Sequence, residues 1–212
     1  RRNNPRLSEY AQRYPVVQCC EYVPELKQPT VSIDNYTAAA ETIDYLINQG
    51  HRRIALLSAD NDFISTQQRR QGYEDVLRKA GLPCGGELVA LADADYSYAS
   101  GLVAAERLLR TEPRPTAVCC VSDILALSVI SLAHDMGLRV PEDLSVTGFD
   151  DVDYTTMFHP HLTTVAQPCY EMGQVSLKIL LRMLGGEQVS RTHTFLPHKL
   201  VVRESVAARN EL

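Results

Sequence analysis

Apolar residues along this chain follow two alternating rhythms. Short runs rich in β-branched residues, TVSI (30–33), RIALLS (53–58), GELVALAD (86–93), TAVCCVS (116–122) and LSVTGFD (144–150), predict strands. Between them apolar positions recur at helical spacing, as Ala39, Ile43, Leu46 and Ile47 do in NYTAAAETIDYLINQG (35–50). Asn35 is expected to cap that helix and Gly50 to stop it. TQQRRQGYEDVLRKAG (66–81), ended by Gly81, YASGLVAAERLLRT (98–111) and DILALSVISLAHDMG (123–137) give further helices. The middle strands are continuous apolar runs, so both of their faces are buried. That predicts a parallel sheet with helices on each side, an α/β doubly wound layer.

Such sheets bind ligands at the carboxyl ends of their strands, where loops feed helix N-termini. SADNDF (58–63), DADYSY (93–98), Ser122 with Asp123, and FDDVD (149–153) all follow strands and are expected to open on one rim. From residue 162 the rhythm changes. LTTVAQ is a short strand, YEMGQVSLKILLRMLGGE (170–187) a helix closed by Gly185 and Gly186, and HTFLPHKLVVRES (193–205) two extended runs broken by Pro197.

Composition narrows the function. The 212 residues are 45% hydrophobic and 22% charged, with a formal charge of −5, so the chain needs no metal or disulfide staple to fold. That charge argues against gripping nucleic acid with its own surface, which takes clustered Lys and Arg; RRNNPR at the start is the one small basic cluster, read as a frayed end. No apolar run approaches the ~20 residues of a membrane helix. Six cysteines, Cys19, Cys20, Cys84, Cys119, Cys120 and Cys169, include no CxxC, and the two vicinal pairs sit in apolar runs. They read as small buried residues of a reducing, cytoplasmic protein. The absence of an initial methionine suggests a fragment.

Catalytic signatures are missing. There is no GxGxxG, no GxxxxGK[ST], no GxSxG and no HExxH, and no cofactor or metal is expected. HPH (159–161) reads as a surface loop. Asp150, Asp151 and Asp153 lack the spacing and terminal glutamate of a calcium loop. Asp151 and Asp153 are expected to cap or solvate the turn. Asp150, nearest the strand end, points into the rim, where a carboxylate accepts two hydroxyl hydrogen bonds from a diol. Phe63 and Tyr96 share the rim, either as stacking faces for a ligand or as packing residues. Arg69, a lone arginine, reads as a surface residue unless the rim holds an oxygen-rich ligand for it to fork onto.

VSIDNYTAAAETIDYLINQGHRRIALLS, PTAVCCVSDILALSVISLAHDMGLRVPEDLSVTGFDD and HLTTVAQP together resemble the LacI/GalR family of bacterial transcription regulators, over most of residues 15–206. EYVPELKQPTVSIDN with TAAA is similar to the cytidine-repressor branch. The resemblance implies two periplasmic-binding-protein-like lobes with an effector in the cleft between them. It places a partial N-terminal lobe at 1–29, the C-terminal lobe at 30–166, a helix returning to the N-terminal lobe at 167–187, and C-terminal-lobe strands and tail at 188–212. The family's effector contacts fall on Arg69, Tyr96, Ser122 and Asp150. Phe63 stands where other members often place a polar contact. Cys20 stands where Asp or Asn is frequent, with Glu21 beside it as a further N-terminal-lobe contact. The resemblance also implies a homodimer with Phe158 at its contact, a nucleoside or sugar effector, and DNA binding only through a headpiece outside this chain. A periplasmic solute-binding protein shares this fold and is the rival reading; an enzyme using Asp150 and a histidine is a weaker one.

Overall fold

The computed structural model describes residues 5–190 and 192–209. The first four residues of RRNNPR, together with Arg191 and residues 210–212, lie outside the described residues. The chain runs α1 (Pro5–Arg13), β1 (Gln18–Cys19), β2 (Thr30–Ile33), α2 (Asn35–Asn48), β3 (Ile54–Ala59) and α3 (Ile64–Lys79). It continues through β4 (Val89–Ala92), α4 (Tyr98–Leu109), β5 (Ala117–Cys120), α5 (Asp123–Asp135) and β6 (Ser145–Asp150). Last come β7 (Thr163–Ala166), α6 (Cys169–Leu184), β8 (His193–Leu196) and β9 (Lys199–Val201).

Six strands form one sheet in the order β4-β3-β5-β6-β7-β9, parallel except for β9 against β7. Every residue of β3 and β5 is buried, as continuous apolar runs require, whereas edge strand β4 is partly exposed. Helix α2 packs on α3 and α4 on α5. Fully buried Leu56, Leu57, Tyr73, Leu108 and Leu125 belong to the core these elements share. Each such side chain contributes roughly 1.5–3 kcal/mol by leaving water. Chain order reverses between β3 and β5: β4 lies outside one and β6 outside the other. That switch point opens a crevice at the strands' carboxyl ends.

Three strands, β1-β2-β8, form a second, all-parallel sheet. Buried Val31 and Ile33 of β2, Met172 of α6, and Phe149 and Val165 of the larger sheet share one apolar cluster, which knits the two sheets together.

Local structure departs from expectation in three places. TVSI and His193–Leu196 were expected with the larger unit, but they pair with each other in the small sheet, where TVSI also pairs with Gln18–Cys19. Free strand edges on both sides set the pairing of so short a segment, and the chain joins the larger unit only at Asp34. Asp34 rather than Asn35 caps α2, its carboxylate accepting from Thr37 N at 3.0 Å. Cys119 and Cys120 are buried as expected, but Cys19 and Cys20 are exposed. Their strand is two residues long, and Cys20 leaves it with φ +66°. Among the described residues no helix is long and apolar enough to cross a membrane.

Candidate functional site

A cleft of about 330 Å³ opens at the switch point. Its walls come from the strand ends predicted to share a rim: Phe63 after β3, Asp95 and Tyr96 after β4, Ser122 after β5 with Ile124 in the first turn of α5, Asp150 at the end of β6 and Tyr154 beyond it. Ser65 and Arg69 of α3 and Glu21 from the small sheet's side complete it.

Arg69 is buried, at 8% exposed. Its Nε donates to Asn35 Oδ1 at 2.9 Å and its Nη1 to the Val121 carbonyl at 2.6 Å. Its guanidinium carbon sits 3.5 Å over the centre of the Phe149 ring. Asn35, expected as a cap, therefore serves to aim Arg69. Burial lowers the Arg69 pKa from its ordinary value, and the nearby Asp150 charge opposes this. Two of the five N–H groups are spent on protein acceptors, which leaves donors for a ligand.

Asp150 ends β6 at φ +122°, a backbone conformation that side chains seldom adopt and that is kept where surrounding structure enforces it. Its Oδ1 accepts from Gln167 Nε2 at 2.6 Å and stands 3.9 Å from Arg69 Nη1. Oδ2 accepts no bond from a described residue. Burial raises the Asp150 pKa, with Arg69 and Gln167 holding it down. The result is a partly desolvated acceptor with one oxygen in reserve.

Tyr96, at φ +57°, presents its ring, because its hydroxyl is engaged with Thr66 Oγ1. The Phe63 and Tyr96 rings lie at 28° with centroids 6.5 Å apart. Two van der Waals contacts, one on each side of a flat ligand, need about 7–8 Å. A small parting of the rings therefore makes a slot for a planar group. Ser122 caps α5 by accepting from Leu125 N at 3.4 Å, so its own proton is free to be donated. Ser65 donates to Glu21, which anchors that carboxylate to the lip.

The cleft thus gathers Phe63, Arg69, Tyr96, Ser122, Asp150 and Glu21. Cys20 is not among its lining residues. Sequence reasoning missed Ser65, Ile124 and Tyr154 and had Asp95 only as part of the DADYSY rim segment; each lies near a predicted contact, and adjacency was the available signal. Asp123, placed on the rim with Ser122, is instead buried and structural, accepting from Thr164 Oγ1 at 2.6 Å and Val152 N at 3.0 Å. Gly148 makes room for it, since a Cβ there would lie 2.2 Å from Asp123 Oδ1. Asp151 does not merely solvate the turn; it pairs with Arg203 at 2.6 Å. Phe158 is 70% exposed, away from the cleft.

A doubly wound sheet linked to a smaller one, with a cleft at the switch point, is the layout of a ligand-binding lobe pair. Residues 43–206 match the periplasmic binding protein-like domain family. The chain is 40% identical to the HTH-type transcriptional repressor CytR of Escherichia coli K12 over 92% of its own length and 56% of that protein's. A structure of a putative LacI transcriptional regulator from Bacillus cereus subsp. cytotoxis superposes with TM-score 0.90 at 30% identity, covering 98% of this chain and 74% of that one. A LacI family regulator from Enterococcus faecium, solved with bound ribose, gives 0.78 at 28% identity, covering 85% and 66%. The chain belongs to the LacI family of transcriptional regulators, whose effector-binding region it matches. It spans about half the length of the curated relatives it matches.

Proposed function

We propose that this chain is the effector-sensing part of a cytoplasmic LacI-type regulator, and that its effector is an uncharged, hydroxyl-rich molecule with a planar face, a nucleoside. The observation that carries the reading is that the neighbouring Phe63 and Tyr96 rings share one cleft with Asp150 and Arg69. Rings suit the base, while the carboxylate and guanidinium suit the sugar hydroxyls. Three carboxylates, Glu21, Asp95 and Asp150, face one guanidinium, so a phosphorylated ligand is disfavoured. The similarity to CytR and the ribose held by the E. faecium regulator fit this reading. That ribose also favours a second one, a free sugar effector.

Ligand closure of the cleft shifts the lobes and so biases a DNA-binding headpiece outside this chain, as the relative's description as an HTH-type repressor suggests. The regulator acts as a homodimer with Phe158 at the contact. It is expected to return its ligand chemically unchanged, in keeping with relatives described as a transcriptional repressor and a catabolite control protein.

The test is a thermal-shift screen of the full-length protein with nucleosides, nucleobases, free sugars and nucleotides, since a binder raises the melting temperature by mass action. A nucleoside is expected to score, to weaken by about 1–3 kcal/mol in Asp150→Asn, and to be recovered chemically intact. A response to free sugars alone selects the second reading. Unchanged affinity in Asp150→Asn removes that residue from the site.

A further inference from the structure

We propose that His159, His161 and Glu204 form a binding site for a divalent transition-metal ion of the zinc class, separate from the cleft. HPH by itself offers two histidines on a loop, too little for a site. The fold supplies the third donor from 43 residues further on, where the chain leaves β9. One ligand atom from each side chain lies within 4.8 Å of the other two.

The arrangement is held by backbone. Glu204 N and Ser205 N both donate to the His161 carbonyl, at 3.0 and 3.1 Å, and His161 N donates back to Glu204 Oε2 at 3.0 Å. Two of the three donors therefore sit on a closed clamp before any ion arrives. His159 Nδ1 stands 2.7 Å from Glu204 Oε2, and His161 Nδ1 stands 3.5 Å from Glu204 Oε1. Two ligand atoms on a tetrahedral ion with bonds of about 2.0–2.1 Å are about 3.3 Å apart, a value between those two separations. The two imidazole rings now stack at 4.2 Å and 24°, so the exposed His159 side chain must rotate out of the stack to bring all three donors to one centre.

Without an ion these contacts are surface pairs of little energetic consequence. With one, they become a two-imidazole, one-carboxylate set with a position open to water. Imidazole nitrogen selects zinc, cobalt, nickel or copper over calcium or magnesium, which take oxygen. The ion would fasten the 151–162 loop, already tied at its start by Arg203 to Asp151, to the strand end at 203–205.

Exposed thiols at Cys19, Cys20 and Cys169 compete for zinc, so the probe is cobalt(II), whose spectrum distinguishes sulfur from nitrogen and oxygen ligands. Titration of the protein with cobalt is expected to give one site with visible d–d absorption and no thiolate charge-transfer band. Zinc should displace the cobalt. His161→Ala and Glu204→Gln are each expected to weaken the site at least tenfold. His159→Gln, at an exposed position whose backbone takes no part in the clamp, should do the same with the fold intact by circular dichroism. Retention of parental cobalt affinity in these variants overturns the proposal, as does a spectrum carried only by thiolate.

Discussion

Asp123 is 1% exposed, and burial pushes its carboxyl up to about 7 although Thr164 and Val152 donate to it. An unfolded aspartate titrates at about 3.9. The folded state therefore keeps a proton that the unfolded state has released, and the stability this gives is full below about pH 4 and is lost as pH rises to 7. The scale is on the order of 4 kcal/mol. His51 acts with the opposite sign. It is fully buried, its Nε2 standing 3.2 Å from the Ala207 carbonyl and its Nδ1 2.9 Å from Thr116 Oγ1, and burial draws its pKa down to about 4. Its contribution is full above about pH 6.5 and is lost as pH falls to 4. The two windows overlap, so the parent should show a nearly flat urea midpoint between pH 5 and 7. His51→Gln should slope downward with rising pH and Asp123→Asn upward. Parallel curves for the two variants would refute the assignment. At this scale the rim positions of Tyr96, Ser122 and Asp150 were legible because each stands at or just past a strand end, whereas Arg69 reads as a surface residue on its own and was placed there by the family resemblance. Asp123 was misplaced because adjacency to Ser122 gives no sign that a helix turns one side chain out and the next in.

Elements were easier to read than their partners. Runs such as RIALLS announce buried strands by lacking alternation, and Gly81 stops α3 in the sequence and, at φ +68°, in the structure. Nothing local told β8 from β9, which lie two residues apart yet join different sheets. Pairing across 160 residues leaves no periodic trace. Packing between helices is similarly silent except at glycine. Gly72 of α3 faces α2 so closely that a Cβ would lie 2.6 Å from the Tyr36 carbonyl oxygen, a backbone atom that cannot swing aside. Alanine is the better helix former by about 1 kcal/mol, so propensity alone makes Gly72→Ala stabilising. The contact reverses the sign. Parting α2 from α3 should cost on the order of 1–3 kcal/mol in chemical denaturation. It should also weaken effector binding, because Arg69 on α3 is aimed by Asn35 on α2. A variant more stable than the parent would show that the helices separate freely.

The whole molecule carries apolar surface that one chain does not cover. Met157 and Phe158 are 64% and 70% exposed, side by side in a polar loop, so Phe158 does not pack back on its own lobe. Arg203 holds that loop at Asp151, and the backbone N–H groups of Glu204 and Ser205 hold its far end by donating to the His161 carbonyl. A tethered loop loses less freedom when a partner covers it, and a protruding aromatic on a fixed base is the kind of residue that dominates an interface. The proposed homodimer gives this pair a place. Phe158→Asp, which leaves the cleft and the core untouched, should weaken the dimer at least a hundredfold, on the order of 3 kcal/mol for a central aromatic replaced by a charge. Sedimentation equilibrium across a concentration series reads the shift directly. Effector affinity, measured alongside, should hold if the loop only docks the partner. A variant that sediments as the parent does would remove Phe158 from the interface.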